Sequence, residues 1–386
     1  MIKAEVKSFQ RGLRITSNMA DMDSFVLQYS SDDFVPQTTR WGDHAGKKSK
    51  FDRELTSRWD NCMENGVFRY NMQQLDTRVI PGDKAYVAQL NSLRATERRK
   101  PQTIMSVSQP FNPDLFNFTK VHTKEILFGL QNTDESTTSG ATMNGTTDSA
   151  QEPERHIIII NVSPLEYGHV LIVPQVNRCY PQVLTETAVK VGLESMLLSS
   201  HRGFRIGFNS LCAYASVNHL HMHAYYLEQQ LLVEHCDVEP LGPNVHELTV
   251  MPCHGFAFQL HGTTVKQIAR LIHNITMYFH DNDIAHNLFI TRGTVFGEPQ
   301  SSTNRTIRMY LWPRKKFIGT KVPDEFNVAV VELAGHLPIK DDSSFQSLTE
   351  ETADHIIADA SLPLEEYNQI KTTVVKMAKQ LDTKTQ

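Results

Sequence analysis

VNHLHMHAYY, Val217–Tyr226, places an imidazole at every second position, His219, His221 and His223, with Leu220 and Met222 between them. In a strand, residues two apart share a face, so the three histidines are expected on one side and the two apolar residues on the core side. A single histidine in a strand is most often a satisfied polar group; three in strict alternation against apolar partners point to a site. A metal is the first chemistry to test, because imidazole is a common ligand. Residues four apart in a strand have Cα atoms about 13 Å apart, whereas Zn–N bonds are about 2.0 Å, so the outer pair cannot share an ion without strain. A two-histidine site completed from elsewhere stays open, but no nearby Cys or acidic spacing completes it.

A phosphate chain suits the pattern better, being long, anionic and open to contact at successive positions. The middle residue, His221, is then placed to attack phosphorus, since imidazole is a competent nucleophile near neutral pH and forms a reactive phosphoramidate. His219 and His223 would hold or protonate the phosphate oxygens as charge develops.

Working outward, HIIIINVSPLEYGHVLIVP (156–174) reads as a hairpin turning at Ser163–Gly168. A helix is expected over 183–198 and a strand over 204–208. A first amphipathic helix carries Phe51, Leu55, Trp59, Cys62 and Met63 on one face and stops at Gly66. A second carries Val265, Ile268, Ile272, Ile275 and Phe279 at a 3.6-residue period. Strands are expected at 287–291, 307–312 and 329–333, and the capping-box pattern Ser347-x-x-Glu350 opens a C-terminal helical region interrupted by Pro363. YGHVLI (167–172) and AGHLPI (334–339) echo each other, which hints at two related halves with the histidine triplet in the first alone.

The 386 residues suffice for a large core, and 38 basic against 43 acidic residues give a net charge of −5. That balance argues for neither a nucleic-acid nor a membrane partner. Five cysteines without a C-x-x-C pair fit neither a disulfide framework nor a zinc ribbon, so a reducing, cytoplasmic setting is expected. No apolar run is long enough to span a bilayer, and the N-terminal residues lack the apolar core of a signal peptide. Neither a kinase-type phosphate loop nor a dinucleotide fingerprint is present.

H-x-H-x-H preceded by G-H-x-L-x-x-P (Gly168–Pro174) resembles the histidine-triad superfamily of nucleotide hydrolases and transferases. Within it, the words RWDNCMENGVFRY (58–70), AQLNSLRATERRKPQ (88–102), QPFNPDLFNFTKV (109–121), AHNLFI (285–290) and VVELAGHLPI (330–339) are similar to the GDP-hexose phosphorylases of the galactose-1-phosphate uridylyltransferase branch. They cover most of the chain from about 51 to 340. The resemblance is nearest to members acting on GDP-D-glucose. One departure is His223, where the uridylyltransferases and plant phosphorylases carry glutamine and the triad hydrolases carry histidine.

The resemblance implies an α+β, histidine-triad-like (HIT-like) fold of two fused pseudo-symmetric halves with antiparallel sheets and packed helices. The expected layout is a variable lead-in over 1–50, a catalytic half over 51–250 with a disordered insertion at 133–153, a second half over 251–345 and a helical region over 346–386. It implies phosphorolysis of GDP-glucose by inorganic phosphate to GDP and glucose 1-phosphate, through a guanylyl-histidine at His221 and with no cofactor. Hydrolysis of nucleotide sugars or dinucleoside polyphosphates is the alternative, and a non-catalytic nucleotide- or metal-binding module is an alternative of another class. Arg94, Arg98 and Arg99 resemble the family's phosphate-contacting R-x-x-R-P segment, and the planar guanidinium fork suits phosphate oxygens. Ser216 resembles a serine near the transferred phosphate, and Asn209 a ribose-contacting asparagine. Asn117 and Lys120 are expected to face the nucleotide from a strand. His169 and His336, each after a glycine at a strand start, are expected to be structural, and His286 and Asn287 to touch ligand. The sequence fixes no oligomeric state.

Overall fold

The computed structural model describes residues 26–36, 47–136, 155–320 and 327–382. Most of the expected lead-in and residues 137–153 of the expected insertion lie outside the described residues. Within the lead-in, Val26–Tyr29 nevertheless forms a strand, β1.

The strands in chain order are β1, β2 (Asp76–Val79), β3 (Val87–Leu90), β4 (Ile126–Asn132), β5 (His156–Ile160), β6 (Val170–Val173), β7 (Phe204–Asn209) and β8 (Met222–Tyr226). They continue as β9 (Glu239–Gly242), β10 (Val245–Leu248), β11 (Gly255–Gln259), β12 (Ala285–Thr294), β13 (Arg305–Arg314) and β14 (His336–Ile339). Eleven of them make one sheet in the order β1-β4-β5-β6-β8-β7-β12-β13-β11-β10-β9, and β14-β3-β2 make a second. The large sheet is antiparallel apart from the β1–β4 edge. Its two halves join where β7 pairs with β12, Asn209 opposite Asn287 and Ile206 opposite Ile290.

The order β4-β5-β6-β8-β7 is repeated as β9-β10-β11-β13-β12. Each unit inserts a long helix between its third and fourth strands in the chain: α2 (Glu186–Leu198) after β6, and α3 (Val265–Asp281) after β11. This is the pseudo-symmetry expected of the fold, but the glycine–histidine echo is not its mark. Residues 336–339 lie in the small sheet beside β3, whereas the strand equivalent to β6 is β11. Strand β10 pairs with β11 and β9 with β10, so residues 239–248 group with the second half and not with the 51–250 unit expected from the sequence.

Helix α1 (Lys50–Glu64) is capped by Ser49, whose hydroxyl accepts the Asp52 amide, and the chain leaves it through Gly66 at φ +66°. α1, α2 and α3 cover one face of the sheet, burying Leu55, Leu193 and Ile272 against Ile158, Met222 and Ile290. On the opposite face of β5 and β6, Ile157, Ile159, Leu171 and Val173 form a separate apolar floor with Phe118 and Val176. Strands with apolar cover on both faces need no polar alternation, which is why IIII and VLIV are continuous.

Three local expectations change. Residues 330–333 form a helical turn, α4 (Val330–Leu333), whose Glu332 carboxylate accepts the Ala329 amide. Ser347 ends helix α5 (Asp342–Ser347), and Thr349 caps α6 (Glu350–Ala358) by accepting the Thr352 amide. The final helix, α7 (Leu364–Asp382), begins directly after Pro363. The strand of the histidine stretch starts only at Met222. Upstream, the Asn218 and His221 amides donate to the side chains of Gln102 and Gln182, and the Leu220 amide to the Tyr180 carbonyl, which leaves none of them for a ladder.

Candidate active site

A cleft opens on the first half's sheet, floored by Ile159, Leu171 and His223, with His221 in its lining. One wall comes from the 91–125 segment, including Arg94, Arg98, Arg99, Phe116 and Glu125. The other comes from Asn209, Tyr214 and Ser216 together with the chain around α4, Asn327 to Glu332, and Pro338 and Lys340. The cleft is therefore completed by residues of the second half.

His221 is 3% exposed, and its Nδ1 lies 2.7 Å from the His219 carbonyl oxygen and 2.9 Å from Gln182 Oε1. Both oxygens only accept, so Nδ1 carries the proton and the neutral ring has its lone pair on Nε2. Gln182 fixes the residue further: its Oε1 accepts the His221 amide at 2.9 Å, and its Nε2 donates to the His221 and Asn209 carbonyls at 3.0 and 2.9 Å. An imidazole locked in one tautomer and one orientation pays little to reach an attacking geometry.

His223 lines the cleft beside His221, with ring centroids 5.3 Å apart. Behind it, His169 Nδ1 accepts the Leu165 amide at 2.7 Å, so its proton is on Nε2, which donates to His223 Nδ1 at 3.1 Å. His223 then holds its own proton on Nε2 and acts as a donor. Burial, aided by the charge of Arg94, keeps His169 well below the ordinary imidazole pKa, so its ring stays neutral.

The remaining candidates divide. His219 is not part of the lining: its ring stacks on Phe118 at 5.4 Å, meets Phe111 edge-on at 5.3 Å and accepts the Phe118 amide on Nδ1 at 3.0 Å. Burial and the neighbouring His221 push its pKa down to about 4. Its contribution to His221 is a backbone carbonyl, not a ring. Asn117 and Lys120 are likewise turned away. They belong to a 3-10 turn over Phe118–Lys120 instead of a strand, where Asn117 Oδ1 caps by accepting the Thr119 amide and Lys120 Nζ donates to the carbonyls of Asp114 and Leu115.

Asn209 is held by Asn287, whose Nδ2 donates to its Oδ1 at 2.7 Å, while the Val330 amide donates to the same oxygen at 3.0 Å. Ser216, Arg94 and Arg98 line the cleft. The Arg94 guanidinium also donates to the Ser163 carbonyl, and burial lowers the pKa values of Arg94 and Arg98. Arg99 pairs with Glu125 and lies 4.3 Å over the Phe116 ring. His286 stacks on Phe208, and His336 bonds Gln89 and Tyr225, both outside the lining. Sequence reasoning passed over Gln182, Glu125 and Lys340, which carry no motif, and the link between His169 and His223, for which the G-H-x-L word was the available signal. Among the described residues, no group of three or more His, Cys, Asp or Glu side chains is arranged to hold a metal.

A buried histidine fixed through its Nδ1 in a cleft over a twice-repeated five-stranded unit is the arrangement of a histidine-triad-like fold. The crystal structure of yeast Ap4A phosphorylase Apa2 in complex with Ap4A shares this fold, with a TM-score of 0.52 at 11% identity over 82% of this chain and 99% of that one. The chain belongs to the GDPGP1-like family, whose N-terminal and C-terminal domain models match residues 50–225 and 228–381. It is 43% identical to GDP-D-glucose phosphorylase 1 of Danio rerio, over 92% of this chain and 99% of the relative. It is 30% identical to GDP-L-galactose phosphorylase 2 of Arabidopsis thaliana, over 82% and 74%.

Proposed function

We propose that this chain is a GDP-D-glucose phosphorylase working through a covalent histidine. The observation that carries the mechanism is the pair of accepting oxygens at His221 Nδ1, which leaves Nε2 as the nucleophilic nitrogen in the cleft. In the first step Nε2 attacks the guanylyl phosphorus, the bond from that phosphorus to the bridging oxygen breaks, and glucose 1-phosphate departs with the electron pair. In the second, an oxygen of inorganic phosphate attacks the same phosphorus, the N–P bond breaks, and GDP leaves with His221 restored. Splitting the displacement in two returns the starting configuration at phosphorus.

His223 Nε2–H serves as donor to the phosphoryl oxygens, and Arg94, Arg98 and Ser216 supply further polar contacts along the wall. Support for the substrate comes from the relatives, which are GDP-hexose phosphorylases at 43% and 30% identity. Five cysteines present as free thiols accord with a reducing compartment, which we take to be the cytoplasm. Among the described residues no helix is long and apolar enough to cross a membrane.

The test is product analysis of the purified chain with GDP-glucose, with and without inorganic phosphate. GDP and glucose 1-phosphate appearing only with phosphate is the expected result. GMP and glucose 1-phosphate formed without it would make water the acceptor and overturn the phosphorylase.

A further inference from the structure

The cleft has an acidic residue where a polyanion is expected. Of its lining carboxylates, Glu332 stands at the α4 end, and Glu125 at the opposite end, next to the apolar floor. Arg94 and Arg98 line the cleft elsewhere, whereas Glu125, paired with Arg99, leaves its own end without the net positive charge that would draw a phosphate chain to it. Arg99, expected from sequence among the phosphate ligands, is already engaged there by the Glu125 carboxylate and packs on Phe116.

The sheet supplies a ruler. His223 on β8 pairs with Leu171 on β6, Leu171 with Ile159 on β5, and Ile159 with Ile126 on β4, the residue after Glu125. Three inter-strand steps are on the order of 14 Å, which matches the reach from an attacked α-phosphorus, through ribose, to the far edge of a purine. Between lie Ile159 and Leu171 as floor, with Phe116 and Val121 beside them, an apolar slot suited to a base and unsuited to phosphate.

We infer that Glu125 and Arg99 read the guanine of the nucleotide: the Glu125 carboxylate accepts from N1–H and the 2-amino group, and the Arg99 fork donates to O6 and N7. These are adjoining edges of one base, so an ion pair can straddle both. The carboxylate holds Arg99 on Oε2 and the His122 amide on Oε1 at 3.4 Å, and each oxygen keeps a lone pair for the base. Arginine on O6 and N7 is a recurrent guanine contact. The pair is specific by omission as well. Hypoxanthine lacks the 2-amino donor, and adenine presents an acceptor at N1 and a donor at C6, which leaves both charges facing the wrong partner.

This inference rests on the guanine-nucleotide reading of the cleft, and its test is binding, not turnover. The full chain is titrated with GDP, IDP and ADP by calorimetry. The unaltered protein should favour GDP over IDP by roughly 10-fold or more, and Glu125→Ala should bring the two within about 3-fold. Arg99→Ala should weaken GDP and IDP together and leave ADP nearly unchanged. Should Glu125→Ala fail to fold, Glu125→Gln takes its place, keeping volume and one acceptor, with an intermediate preference expected. Equal binding of GDP and IDP by the unaltered protein, or a preference left undiminished in the Glu125 variants, overturns the inference. A chain that binds GDP through Glu125 but turns over nothing would remove the proposed reaction and leave this inference standing. A phosphorylase indifferent to Glu125 would do the reverse.

Discussion

Strands β8 and β13 hold the same place in the two five-stranded units, each between the strands that flank a long helix, and they carry different chemistry. On the helix side both are apolar: Met222 and Ala224 in one, Met309 and Leu311 in the other. On the far side β8 and the chain leading into it present His221 and His223 to a cleft, whereas β13 presents Arg308, Tyr310 and Trp312, all at most 1% exposed. The difference is what lies above. Over β13 the C-terminal helices bring Phe345, Ala353 and Ile357 down as a cover. Arg308 is tied to the carbonyls of Val233, Cys236 and Thr294, and Gly255 makes room for the Trp312 indole, to which a Cβ there would come within 2.6 Å. Over β8 the covering segments stand apart and line a cavity. A repeated scaffold thus becomes a site or a core according to whether its outer face is filled.

The comparison is broken most severely by His221→Ala. Removing the proposed nucleophile should lower kcat by roughly 10⁴-fold or more with the melting temperature close to the original. Steady-state kinetics beside a thermal melt checks this, and an active, folded variant would end the assignment. The mirror-image change, Trp312→Ala, should cost about 3–5 kcal/mol of stability and leave KM nearly unaltered in whatever remains folded, read by denaturant unfolding. If it instead abolished turnover in a stable protein, the second half would be catalytic and the contrast false.

Gln182→Leu keeps the volume but strips His221 of its side-chain partners. A fall in kcat of about 10–100-fold with little change in KM is expected, on the scale of a misoriented catalytic group, and a change in KM alone would contradict it. The smallest effect should come from His219→Gln, which retains an acceptor for the Phe118 amide and the carbonyl that holds His221. Activity within about 10-fold of the original is expected, less than one removed oxyanion donor costs; a loss comparable to His221→Ala would put the His219 ring back among the reacting groups.

How much of this was legible in the sequence depended on range. The 156–174 hairpin and the α1 and α3 helices follow from local periodicity, and they are where those patterns put them. AVVEL reads as a strand because a short apolar run carries no helical period. In the fold the Glu332 carboxylate accepts the Ala329 amide and the Val330 amide donates to Asn209, which hold it as the turn α4. The alternation of the histidines was visible, yet its meaning was not uniform. His219 faces two phenylalanines from a segment about a hundred residues earlier, a contact that no local pattern encodes. Gln182 and Glu125 were silent for the same reason: their roles exist only once distant segments meet. Asn117 and Lys120 sat in a plausible alternation that the chain spends on capping a turn.

The seam between β7 and β12 also sets a schedule. Asn209 finishes β7, but the side chain and backbone donors that fix it, Asn287 and Val330, belong to chain made much later. During synthesis the histidines emerge, with β8 able to pair, while the far edge of β7 still waits for a partner. The nascent chain therefore carries His221 for many seconds before the wall that completes the cleft exists. A ribosome-bound chain ending before residue 285 should hold every histidine of the triplet and yet be unable to turn over a nucleotide sugar.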